Sequence, residues 1–90
     1  MPESTSKRRV VEAIRDEISK YSDRDFANEE HFIRDMHIAD DDITAVILAV
    51  EKRFRVKAPR KRYHAVSNVS DLADVIEDTM RERPTSEGLN

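Results

Sequence analysis

Ninety residues make one small domain, which buries only about 60–65% of the surface its unfolded chain exposes. Without cysteine there is no disulfide and no thiolate metal site, and one glycine with three prolines is too few turn residues for a hairpin-rich β protein. Charged side chains are 39% of the chain, but the net charge of −3 singles out no partner class, and the apolar residues are patterned well enough to favour a helical bundle over disorder.

No run approaches the ~20 apolar residues of a membrane span, and the opening MPESTSKRRVVEAI lacks the apolar stretch of a secretion signal. The expectation is a soluble, unprocessed, cytoplasmic protein with no membrane partner. Residues 1–5 are expected to be flexible. Over 6–21, Val10, Ile14, Ile18 and Tyr21, with Val11 beside them, keep helical spacing on a polar background and predict a first amphipathic helix. Residues 22–31, SDRDFANEEH, are polar around one aromatic, which predicts a long loop plugged into the bundle by Phe26 and anchored further by Phe32 and Ile33.

The stretch 35–54, DMHIADDDITAVILAVEKRF, organises the rest. Ile43, Val46, Ile47, Val50 and Phe54 recur at i, i+3, i+4, i+7 and i+11, one stripe of a helix. Asp40, Asp41 and Asp42 stand where it should begin, one as N-cap and the others favoured by the positive end of the helix dipole. Phe32, Val50, Phe54 and Ile76 are expected to share the core. Beyond Phe54, Pro59 closes an exit loop and a short helix is expected over 60–65. Asn68 is placed to cap a last helix with Val69, Leu72, Ala73, Ile76 and Met80 on one face. Residues 81–90, RERPTSEGLN, have no apolar period and are expected to be a flexible tail, leaving 6–80 as the helical domain.

The candidate sites are few. The three aspartates are consecutive and no glycine accompanies them, unlike the alternating acids and obligatory glycine of an EF-hand loop, so a metal site is not expected. Besides capping, an aspartate there offers a partner a fixed negative charge. The run 52–62, KRFRVKAPRKR, holds seven basic residues and no acid. It is either a solvated face or a patch for an acidic partner, with Lys52, Arg60, Lys61 and Arg62 as candidates. Nucleic-acid binding would need exposed aromatics interleaved with these cations, and only Phe54 and Tyr63 are near. From Ile43 to Val50 the central helix carries no charge, and Leu48, with Thr44 and Ala45 beside it, is predicted to lie opposite the core stripe as a small apolar surface. His31, His37 and His64 are scattered, with no i, i+4 zinc pair, and no nucleophile motif or Gly-rich phosphate loop is present. An enzyme is not expected.

Asp35-Met36, Glu51 and Phe54 resemble, in spacing, the central helix of acyl carrier proteins, whose pattern is acidic-Leu-Gly-x-Asp-Ser-Leu followed by an apolar helix, Glu and Phe. Phe26 and Phe32 match that family's loop anchors, and Val69-Ser70-Asp71-Leu72 with Ile76 resembles its closing phrase, so the likeness runs ungapped over 10–76. It implies an all-α, acyl-carrier-like bundle of three main helices and one short one, with a long loop after the first. The family attaches phosphopantetheine to a serine. Here that position holds Asp40, or Asp42 if the register slips by two. A similar serine-free variant of the carrier pattern, with a Gly-Asp-Asp turn, is found in a family of small bacterial proteins. The resemblance therefore implies a non-enzymatic, carrier-like module that binds protein partners and takes no phosphopantetheine. The alternatives are a functional acyl or peptidyl carrier of a fatty-acid, polyketide or related pathway, which would need that cofactor, and a nucleic-acid accessory protein using the basic run. Candidate partner-binding residues are Asp40, Asp41, Asp42, Thr44, Ala45, Leu48, Lys52, Arg60, Lys61 and Arg62.

Overall fold

The computed structural model describes residues 5–82, and these form three α-helices, α1 (Thr5–Ile18), α2 (Asp40–Phe54) and α3 (Val69–Glu82), with a 3-10 turn at Arg60–Tyr63 before α3. There are no strands among the described residues. α1 packs along both other helices, whereas α2 and α3 touch each other over a shorter length, and the connecting segments fill the wedge between them. The apolar periods account for this. Val10, Ile14 and Ile18 of α1, Val46 and Val50 of α2, and Val69, Leu72, Ala73 and Ile76 of α3 are all buried in one cluster.

Each helix end has a local cause. α1 stops at Ile18, where Tyr21 donates its N–H to the Ile18 carbonyl at 2.8 Å and the chain leaves the helix. Tyr21 was expected on the apolar stripe; because the helix has ended, it is 42% exposed instead. α2 starts from Ala39, whose extended backbone (φ −69°, ψ 152°) makes it the N-cap, and no side chain caps this end. The expected aspartate cap is thus corrected: Asp40, Asp41 and Asp42 all lie inside the first turn, where they face the helix dipole. At the other end Arg55 takes the left-handed conformation (φ 57°, ψ 45°), and Val56 donates to the Glu51 carbonyl at 3.0 Å, closing the last turn without a glycine.

α3 begins as its sequence requires. Asn68 Oδ1 accepts the first-turn N–H of Asp71 at 2.7 Å, and the Asp71 carboxylate in turn accepts the N–H and hydroxyl of Ser67, both at 3.3 Å, just ahead of the helix. The helix continues through Arg81 and Glu82, two residues into the stretch read as tail, and Thr5 belongs to α1. Residues 1–4 and 83–90 of the expected flexible termini lie outside the described residues.

The loop between α1 and α2 is stitched to the body. Phe26 is buried beneath the Arg15 guanidinium, 4.3 Å above the ring centroid, and Arg15 also donates to Asn28 at 2.7 Å. Phe32 is 2% exposed, and its N–H donates to the Ser67 carbonyl at 2.7 Å. Met36 and Ile38 are buried beside it. Ile33, expected as an anchor, is 46% exposed: the tight turn over 31–36 carries Phe32 inward and its neighbour outward. The short helix expected over 60–65 is a single 3-10 turn ending at Tyr63, with Pro59 just ahead of it. No described helix is long and apolar enough to cross a membrane.

Candidate interaction site

An open groove of about 900 Å³ runs between α2, the turn after His31 and the segment through the 3-10 turn. Its apolar lining includes Phe32, Ile43, Ile47, Leu48, Ala58 and Val66. Every third or fourth residue of α2 from Asp40 faces it, because the flank of the helix beside the core stripe has no helix packed over it.

One buried carboxylate fixes the groove wall opposite α2. Glu51 is only 8% exposed, and its Oε2 accepts the Ala58 N–H at 3.1 Å and the Tyr63 hydroxyl at 2.5 Å. The segment after α2 is thereby tied back onto the helix it has just left. Burial, together with the hydrogen bond to Glu51 and its negative charge, pushes the Tyr63 phenol well above its ordinary value of 10.0. In the sequence Glu51 stands out by its spacing alone, and nothing there pairs it with Tyr63. The available signal was a lone glutamate interrupting an apolar stripe.

The turn opposite α2 is held by His31. Its Nδ1 accepts the N–H groups of Ile33 and Arg34, both at 3.1 Å, while the Asp35 carboxylate accepts the His31 N–H at 2.8 Å. Short-range bonds of this kind make the turn that presents Ile33 at the groove edge.

The predicted site residues separate into three places. Asp40, Thr44, Leu48 and Arg60 line the groove. Leu48 is 58% exposed, as its position opposite the core stripe implied. Asp41, Ala45 and Lys52 lie on the outward face of α2, all exposed, and Asp42 is half-buried. Lys61 is exposed on the 3-10 turn, whereas Arg62 turns to α3, donating to Glu82 at 2.7 Å. The basic run is therefore dispersed. Arg53 pairs with Asp16 at 3.7 Å and Glu17 at 3.6 Å on α1, and Lys57 joins Arg60 at the groove.

A phosphopantetheine linkage needs an accessible side-chain hydroxyl, and the first residue of α2 has none. Asp40 is an exposed carboxylate, and Thr44, one turn on, donates its hydroxyl to the Asp40 carbonyl at 3.1 Å. Among the described residues no group of three or more acidic, histidine or cysteine side chains is placed to hold a metal ion. No protein-family model, no curated protein and no solved structure matches this chain.

Proposed function

We propose that the chain is a non-enzymatic, acyl-carrier-like interaction module that binds protein partners through α2 and its groove and is not loaded with phosphopantetheine. The observation that carries this reading is Asp40, an exposed carboxylate at the entrance of α2, beside the groove and at the position where the resemblance calls for the attachment serine. A phosphodiester to a carboxylate would be a labile acyl phosphate, so this residue offers a charge and not an attachment point. The exposed Leu48 and Ile33 on either side of the groove supply apolar contact area for a partner.

The reading is tested by incubating the protein with coenzyme A and a broad-specificity phosphopantetheinyl transferase. The intact mass is expected to stay unchanged. An adduct on any residue would overturn the proposal and make the chain a functional carrier.

A further inference from the structure

Asp41, Ala45, Leu48 and Lys52 stand at i, i+4, i+7 and i+11, a single stripe along the outward face of α2, and all four are exposed. Neither Asp41 nor Lys52 has an ion-pair partner among the described residues. The stripe is acidic at the helix N-terminus, small and apolar in the middle, and basic at the C-terminal end. It has a further property. The midpoint between Asp41 and Lys52 is also the midpoint between Ala45 and Leu48.

We propose that this face binds a second copy of the chain, the two α2 helices lying antiparallel across a twofold axis that passes between Ala45 and Leu48. An antiparallel twofold matches each residue with the one equally far on the other side of the axis. Each Leu48 then lies on the partner copy's small Ala45, and each Asp41 meets the partner copy's Lys52, about 16 Å along the helix from its own. Both apolar contacts and both charge pairs are satisfied by one operation. A parallel pairing would place Asp41 against Asp41 and Lys52 against Lys52. Antiparallel packing also opposes the two helix dipoles.

Charge complementarity thus selects a copy of this chain over a uniformly acidic or basic partner, which would meet one end of the stripe and be repelled by the other. A single helix pair of this length covers less than the about 1,000 Å² of a stable interface, so the association is weak, with a dissociation constant on the order of 0.1 mM. The proposal rests on α2 being the docking surface and deepens that reading by naming the occupant.

The test is sedimentation equilibrium of the full chain from about 20 µM to about 1 mM, with two single charge reversals, Asp41→Lys and Lys52→Glu. Both sites are exposed, so helical circular dichroism is expected to be unchanged. The native chain is expected to dimerise, and each reversal to weaken that at least about tenfold by opposing like charges. An equimolar mixture of the two variants is expected to dimerise again, since each supplies the charge the other now needs, and so is the double variant. Leu48→Asp is expected to abolish dimerisation in every background.

A native chain that stays monomeric to about 1 mM would overturn the proposal, as would a dimer in which the mixed variants regain nothing. A monomer that still binds another protein through Leu48 would assign the face to a different occupant and overturn self-pairing. None of these results bears on the coenzyme A experiment, so failure of the pairing is distinguishable from failure of the carrier-like reading.

Discussion

The hydroxyl of Tyr63 donates to Glu51 Oε2 at 2.5 Å, and the same oxygen accepts the backbone N–H of Ala58 at 3.1 Å. One buried carboxylate on α2 therefore holds the whole segment that forms the far wall of the groove. Tyr63→Phe removes one of two donors to a buried charge and is expected to lower stability by about 1.5–3 kcal/mol in urea melts at pH 7. It is also expected to loosen the groove wall, read as faster amide exchange at Ala58. Native-like exchange there would mean that the backbone bond alone holds the segment.

The same pair makes stability depend on alkali. The folded-state value of Tyr63 lies above the ordinary 10.0, so the folded chain keeps a proton that the unfolded chain releases as pH passes 10. The contribution is complete below pH 10 and is lost as pH rises toward the higher folded value. Stability of the native chain is expected to fall more steeply as pH rises above 10 than that of Tyr63→Phe. Parallel curves would remove Tyr63 as the source.

Acid acts on a different carboxylate. Arg24 donates to Glu30 at 2.5 Å and the Ala27 N–H donates to the same carboxylate at 3.0 Å, and these bonds hold Glu30 below its ordinary 4.5. A depressed carboxylate stabilises the fold above its unfolded value and loses that contribution as pH falls through the lower folded value. Glu30→Gln is expected to flatten the decline of stability below pH 4.5. The pair is exposed, so the change is expected to be small, and salt is expected to reduce it further. An acid limb identical in both proteins would assign the loss to other carboxylates.

Phe32 and Phe54, both expected to share the core, differ in the fold. Phe32 is 2% exposed, whereas Phe54, the last residue of α2, is only partly buried against the cluster. Phe32→Ala is expected to cost about 3–5 kcal/mol, most of the stability of a domain this small. Phe54→Ala is expected to cost less. The reverse order in thermal or urea melts would place α2 in another register.

That contrast marks how far the sequence could be read. The stripes of α1, α2 and α3 follow from period alone, and Asn68 announces its helix because a cap is written in two nearby residues. The cap of α2 was misread because the choice between Ala39 and Asp40 depends on where the backbone turns, and three adjacent aspartates leave that open. Tyr21 and Ile33 were assigned inward by spacing, but spacing loses meaning once a helix has ended or a tight turn begins. The groove was invisible for a different reason. It is assembled from His31, Leu48, Lys57 and Val66 on separate segments, brought together by the bonds of Glu51 to Tyr63 and Ala58 and by the Phe32–Ser67 bond.

The dispersal of the basic run argues against the nucleic-acid alternative. Salt-dependent affinity for DNA or RNA grows with the number of phosphates neutralised at once, which requires cations on one face. Here Arg53 pairs with Asp16 and Glu17 on α1, Arg62 with Glu82 on α3, and Arg60 and Lys57 line the groove, so the cations of the run do not all share one surface. No complex is expected at about 150 mM salt, and any binding at low salt is expected to show a slope of log K against log salt no steeper than about −3. Replacing Arg60, Lys61 and Arg62 by alanine is expected to change that slope little, while the loss of the exposed Arg62–Glu82 pair lowers stability only slightly. A submicromolar complex at about 150 mM salt, with a slope that flattens in the triple variant, would show that these cations act on one face after all and would raise the accessory-protein alternative above the carrier-like reading.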